Sequence, residues 1–161
     1  MSFDPQPHLV GERLEVRPLR EDDFAALHEA AADPLTWEQH PDRERWREEV
    51  FRRYFDEQLA SGGGLAVVDR RDGRLVGSSR YHDWDGTEVE IGWTFLARDL
   101  WGGEANGELK RLMLDHAFGF VDRVVFCVHP ENLRSRRAVE KLGAVETGTR
   151  RELVLYELRK P

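Results

Sequence analysis

Glu88-Val89-Glu90-Ile91-Gly92-Trp93-Thr94-Phe95-Leu96, followed after four residues by Trp101-Gly102-Gly103-Glu104-Ala105-Asn106-Gly107, is the stretch that decides the fold. The first part alternates. Val89, Ile91, Trp93 and Phe95 fall on one face, and Glu88, Glu90, Gly92 and Thr94 on the other, the period of a strand with one buried side. Leu96 breaks that parity as an apolar residue on the polar face, which predicts a bulge or a strand end there. The second part is a glycine turn that opens an amphipathic helix, expected over 105–121 with Leu109, Leu112, Met113, Ala117, Phe120 and Val121 inward. The first N–H groups of a helix lack partners within it and converge with those of the turn, which suits a phosphate or diphosphate. A strand that ends beside such a helix builds a cleft at the carboxyl end of a sheet.

Downstream, the apolar run Val124–Val128 predicts a short buried strand. Asn132-Leu133-Arg134-Ser135 then starts a helix that Gly143 stops, a usual residue just past a helix end. A hairpin over 144–147 and 153–158 closes the chain. Upstream, Asp72-Gly73 and Asp85-Gly86 predict tight turns joining strands over 65–69, 75–84 and 87–96, because both residue types tolerate positive φ. Before these come a strand over 13–19 and a helix from Asp22 carrying Phe24, Leu27 and Ala31, which Pro34 ends. A second helix is expected from Pro41-Asp42, with Trp46, Val50, Tyr54 or Phe55, and Leu59 on one stripe, stopped by Ser61-Gly62-Gly63-Gly64. The order β-α-α-β-β-β-α-β-α-β-β predicts a mixed, mostly antiparallel α/β sheet of about seven strands flanked by about four helices. Neither a linker nor a repeat interrupts it, so one domain over 1–161 is expected.

With 161 residues, 31 acidic against 24 basic, the chain has a formal charge of −7. That balance argues against nucleic acid or an anionic membrane as partner and mildly favours a cationic one. There is no signal-like start and no apolar run of spanning length, so the expectation is a soluble, cytoplasmic protein. The single cysteine, Cys127, lies within an apolar run and is expected to be an inert core thiol. Six scattered histidines offer no paired spacing, so no metal is expected. Of these, His82 and His129 fall nearest the cleft, where the structural role is the commoner one.

Glu90-Ile91-Gly92-Trp93, the Trp101–Asn106 turn, and Asn132-Leu133-Arg134-Ser135 with Lys141-Leu142-Gly143, in this order and spacing, resemble the GNAT superfamily of acyl-CoA-dependent N-acetyltransferases. Within it the chain is similar to the ribosomal-protein alanine N-acetyltransferase branch, over 9–158. The resemblance implies acetyl-CoA as cosubstrate, a small-molecule or peptide amine as acceptor, and a homodimer. It implies that backbone groups near Phe95 and Leu96 pair with the pantetheine arm. Trp101, Gly102, Gly103, Glu104, Ala105, Asn106 and Gly107 would surround the diphosphate, and Asn132 and Ser135 would flank the thioester. Glu90 would take the proton of the attacking amine, and Ser135 would serve the departing thiolate. A strand N–H freed by the bulge would stabilise the oxyanion. Trp37, His40, Trp46, Tyr81, Trp84 and Trp93 become candidates for the acceptor pocket.

Three positions depart from the family pattern. Glu104 stands where glycine is usual, and its carboxylate would weaken diphosphate binding unless it turns to solvent. Val139 occupies the place of a tyrosine acid, leaving that role to Ser135 or water. The 148–152 connection is short for the hairpin that usually covers the acceptor. Glu104 keeps open a second reading, a non-catalytic acyl-CoA-binding or regulatory module on the same fold. Asn132 and Ser135 also read as an ordinary helix cap, and Glu90 as a strand residue paired across the sheet. A dinucleotide fold is disfavoured: no G-x-G-x-x-G follows the first strand, and the hairpins are antiparallel.

Overall fold

A computed structural model describes residues 2–161. The described strands are β1 (Leu9–Val10), β2 (Leu14–Pro18), β3 (Gly64–Asp69), β4 (Leu75–His82), β5 (Glu88–Leu96), β6 (Arg123–Val128), β7 (Val145–Arg150) and β8 (Leu153–Arg159). The helices are α1 (Phe24–Ala31), α2 (Glu48–Ala60), α3 (Ala105–Ala117) and α4 (Leu133–Lys141). The eight strands form one sheet in the order β1-β2-β3-β4-β5-β6-β8-β7. Every neighbouring pair is antiparallel except β5 and β6. This is the expected mixed α/β architecture, with the two-residue β1 as an added edge.

Two clusters of apolar side chains pack against the sheet. The larger gathers Val89, Ile91 and Leu96 of β5 with Leu109, Met113 and Ala117 of α3 and Val139 of α4. The smaller gathers Leu27 of α1, Phe51, Tyr54 and Phe55 of α2, and Phe95 of β5. The carboxylate of Glu108 ties the first turn of α3 to the start of β2, accepting from the backbone N–H of Arg13 at 3.0 Å and of Leu14 at 2.6 Å. That fixes where the helix N-terminus sits. Among the described residues, no helix is long and apolar enough to cross a membrane.

Several elements differ from expectation. α2 begins at Glu48, not near Pro41, because the backbone of Arg47 is extended, at φ −74° and ψ 139°; ahead of it the guanidinium of Arg45 turns inward to lie 4.7 Å from the Tyr54 ring centroid and 5.3 Å from that of Trp37. The inner face of α2 is Phe51, Tyr54, Phe55 and Gln58. α3 ends at Ala117, and Lys110 and Leu114 are buried where Leu112 and Phe120 were expected to be fully so. β4 stops at His82, two residues early. The Asp-Gly turns hold as read, with Gly73 at φ +76° and Gly86 at φ +93°.

Candidate active site

β5 carries the bulge, but at Trp93 and not at Leu96. The β4–β5 register slips between Ser78 and Arg80, with Phe95 opposite Ser78 and Gly92 opposite Arg80. Trp93 takes φ +56°, a left-handed conformation that costs a non-glycine residue about 1–3 kcal/mol and persists only where its surroundings hold it. The Tyr54 hydroxyl does so, donating to the Trp93 carbonyl at 2.6 Å while accepting from the Gln58 amide at 3.2 Å. Burial pushes the Tyr54 pKa up to about 12, so it remains a donor at all ordinary pH. The bulge reverses the phase of the strand: Phe95 faces α1 and α2, while Leu96 rejoins the side of Val89 and Ile91. Phe in place of Tyr54 should lower unfolding free energy by about 1–2 kcal/mol through the lost hydrogen bond. Urea denaturation would show it, and a change within error would mean that the bulge holds itself.

β6 pairs with β5 only through Glu88↔Arg123, Val89↔Val124 and Glu90↔Val125. Beyond Glu90 the strands part, and the edge of β5 from Ile91 to Leu96 has no strand partner on that side. Ala97 donates its N–H to Val76 of β4 at 2.8 Å, so by alternation the backbone groups of Leu96 point into the gap. The Leu96 carbonyl is occupied there by the indole N–H of Trp101 at 3.0 Å.

The turn sits at the mouth of the gap. Gly102 has φ +77°, and the first bond within α3 runs from the Glu108 N–H to the Glu104 carbonyl, so the N–H groups of Ala105, Asn106 and Gly107 lack helical partners. Glu104 is exposed and caps nothing, its side chain turned to solvent. A Cβ on Gly107 would meet the Arg111 guanidinium at 3.2 Å, which places a cation beside the helix start. Across the gap, Asn132 caps α4 by accepting from the Ser135 N–H at 3.4 Å, the ordinary capping role. Gln39 accepts from the Arg134 N–H at 3.1 Å, and the Arg134 guanidinium stacks 3.9 Å from the Trp101 ring centroid. Val139 is buried in the core and supplies no donor. The Ser135 hydroxyl makes no hydrogen bond with Glu90.

Glu90 lies at the point where the strands part, 4 % exposed. Its carboxylate sits 3.3 Å from Nε2 of His82, its neighbour across β4–β5, and accepts from the Arg151 guanidinium at 2.8 Å. Burial raises its pKa, yet the adjacent His82 ring and the hydrogen-bonded guanidinium of Arg151 outweigh burial and hold it below the usual glutamate value. It is therefore ionised at neutral pH. Arg151 reaches it from the β7–β8 turn, where Arg151 and Glu152 both have positive φ, at 53° and 66°. The same guanidinium donates to Asp83 at 3.2 Å and lies 3.7 Å from Sγ of Cys127. Ligand-type atoms of His82, Asp83 and Glu90 fall within 4.8 Å of one another, but the chain supplies its own cation among them in Arg151.

Cys127 is thus a half-buried thiol beside the candidate base, not a core residue. Burial pushes its pKa up, which keeps it neutral and unreactive. Of the aromatic candidates, Trp37 and Tyr81 are core, and Trp84 stacks on Phe3 at 6.2 Å. Trp93 is 37 % exposed at the bulge, Trp46 packs partly buried against the smaller cluster, and His40 lines a surface cavity with Gln39 and His129. Arg151 was invisible from sequence: its partner is 61 residues away, and the short connection was the only hint.

A family model described as an acetyltransferase (GNAT) domain matches residues 13–145. The chain belongs to the GNAT acetyltransferase family. Its fold is shared with solved members of low identity. An acetyltransferase (GNAT family) from Bacillus anthracis superposes with a TM-score of 0.78 at 21 % identity, over 95 % of this chain and 98 % of that one. A GCN5-related N-acetyltransferase from Brucella melitensis gives 0.84 at 19 %, over 96 % and 79 %. The PaiA N-acetyltransferase from Thermoplasma acidophilum, solved in complex with coenzyme A, gives 0.66 at 16 %, over 91 % and 99 %. In this GNAT chain the expected bulge, turn and helix lie around one gap, and Glu90 stands at its closed end.

Arg151→Ala gives a directional prediction for that carboxylate. Arg151 helps to hold the Glu90 pKa down, so without it burial weighs more and the pKa rises. With the Glu90 carboxylate as the proposed base, the acid limb of kcat/KM should move to higher pH. Since kcat/KM reports the free enzyme, a limb that stays put would show that Arg151 does not hold the Glu90 pKa down.

Proposed function

We propose that the chain is a single-domain acetyl-CoA-dependent N-acetyltransferase that acetylates a primary amine by direct attack in a ternary complex. The observation that carries this reading is the parting of β5 from β6 after Glu90, with an unpartnered strand edge running toward a glycine turn and a helix N-terminus. Acetyl-CoA supplies the activated acetyl group. The residues fit it in part: the edge of β5 offers the Leu96 N–H to an extended arm, whereas the backbone groups of Phe95, expected to do the same, pair with Ser78 of β4 and the Leu96 carbonyl is taken by Trp101. Trp101 to Gly107 offers N–H groups and a positive helix end to a diphosphate, with the Glu104 carboxylate turned away.

Glu90 receives the proton of the acceptor ammonium, directly or through water, after that ammonium displaces the Arg151 guanidinium. A β5 N–H freed by the bulge at Trp93 would meet the negative charge that builds on the acyl oxygen. Ser135, in the first turn of α4, serves the leaving thiolate with Asn132 beside it. The reading carries a cytoplasmic homodimer with a small-molecule or peptide amine as its only partner class; sedimentation equilibrium checks the dimer.

The test is thermal stability with CoA and acetyl-CoA, against ATP and NAD, followed by thiol release with a panel of amines. Ligand at 100 times its dissociation constant should add about 2.7 kcal/mol. A shift for the CoA species with amine-dependent thiol release supports the enzyme. A shift without release to any amine leaves the acyl-CoA-binding module, and no shift at millimolar CoA sinks both.

A further inference from the structure

Two arginines on the acceptor side of the sheet have fewer anionic partners than burial calls for. The β4–β5 register puts Arg80 opposite Gly92 and His82 opposite Glu90, with the buried pair Tyr81 and Ile91 between them on the other face. Arg80, Gly92, His82 and Glu90 therefore share one face. Along β4, Arg80 lies two residues from His82, about 7 Å at the rise of a strand. Arg80 is 9 % exposed, and its guanidinium carbon lies 4.2 Å from the Trp93 ring centroid. Its single hydrogen bond goes to the Glu57 carbonyl in the last turns of α2 at 3.5 Å. Its Nε is buried without a partner, and no carboxylate among the described residues pairs with it.

Arg45 arrives at the same ring from the other direction of the chain. Its guanidinium carbon is 5.8 Å from the Trp93 centroid and 4.7 Å from that of Tyr54, and its side chain is 11 % exposed. Asp42 answers it at 3.4 Å, but Asp42 is itself 42 % exposed, and Nε of Arg45 is again buried and unpartnered. Gly92 keeps the space between Arg80 and the base free, since a Cβ there would meet Nε2 of His82 at 3.2 Å and the Glu90 carboxylate at 3.8 Å.

An unpaired buried guanidinium is costly unless an anion meets it, and its planar fork matches a carboxylate or phosphate. We propose that Arg80, assisted by Arg45, binds an anionic group carried by the acceptor, so that the acceptor is a small amine bearing a carboxylate or phosphate. The proposal rests on the acetyltransferase reading and specifies its substrate class. The ammonium of such a molecule points at Glu90 and its anion at Arg80, with Trp93 alongside. Local charge here opposes the net charge of −7, from which a simply cationic acceptor was expected. The aromatic rings hold the two guanidiniums in place without neutralising them.

The test needs no turnover. Binding of N-acetylated amino acids and N-acetyl-aminoalkyl phosphates is measured by titration calorimetry against the N-acetyl alkylamines of the same length, in wild type and Arg80→Gln. The anionic members should bind at least about tenfold more tightly in wild type, and the preference should vanish in Arg80→Gln. Arg80→Lys should recover part of it, separating lost charge from lost packing. Whether carboxylates or phosphates bind better identifies the group. Equal binding of charged and neutral members, or no binding of either, overturns the proposal, as does a preference that survives Arg80→Gln. The CoA-induced stability shift, run on the same samples, reports separately on the acetyltransferase reading.

Discussion

Glu90→Gln should lower turnover by about 10²–10⁴-fold, the range that a positioned general base supplies. The substitution conserves shape. A glutamine at this position still accepts from Arg151 and still faces His82, so the closed end of the gap stays packed. What is lost is the proposed proton acceptor. An amine attacks only as the neutral species, and most amines are protonated at pH 7. The wild-type carboxylate is ionised there because His82 and Arg151 hold its pKa below the usual value. It can relieve the bound acceptor of its proton. Without it the variant must wait for amine that solvent has already deprotonated, so its rate should climb with pH up to the amine's own pKa. The profile decides the matter: a reduced rate with an unchanged pH dependence would make Glu90 a positioning residue only.

Lys110→Met should stabilise the protein by about 3 kcal/mol at pH 7, against the usual direction of a core substitution. Lys110 is 5 % exposed on α3 and makes one hydrogen bond, to the Thr94 hydroxyl at 3.0 Å. That hydroxyl is shared with Ser79 at 2.7 Å, and no carboxylate joins them. Burial alone lowers the Lys110 pKa from 10.5 to about 8. Its charged form is thus the disfavoured one in the fold. Below pH 8 both folded and unfolded chains hold the proton and the full cost is present. Between pH 8 and 10.5 the unfolded chain binds more protons, so wild-type stability rises with pH and the cost fades. Methionine has similar length and no charge, so its advantage should be largest at pH 7 and small by pH 10. Urea titrations at four pH values would show the convergence, and a difference independent of pH would refute the assignment to a buried charge.

Some of this was legible in the sequence and some was not, for identifiable reasons. The two Asp-Gly turns, the Gly102 turn and the Asn132 cap are local, and each is encoded within a few residues. The bulge was legible as a fact but misplaced. Trp93 is apolar and half-exposed, so it continues the Val89–Ile91 alternation on paper while the backbone inverts beneath it, and the break surfaces only at Leu96. Cys127 looked like core because its neighbours Phe126 and Val128 are; period two puts it on the opposite face, beside Arg151. Arg45 looked like part of a solvated charged face, since Asp42-Arg43-Glu44-Arg45 has no visible stripe, and its aromatic partners come from elsewhere in the chain. The charge that meets Glu90 and the charge that meets Trp93 are tertiary facts. Nothing local to either residue announces them.

The three residue pairs that join β5 to β6 also have a mechanical consequence, since they are placed as the pin of a hinge. Five strands hang on one side of it and three on the other, and no other strand pairing crosses between them. Glu88 braces the pin, held by Arg123 at 2.6 Å and by Arg150 at 2.9 Å. The other ladders are antiparallel, and apart from the two-residue edge strand β1 each of them is longer than this parallel one, so compliance between the plates concentrates here. The width of the jaw can therefore change by a small pivot at Glu88–Glu90 without unzipping either plate. In such a pivot the carboxylate at the fulcrum would move least and the turn at the rim most.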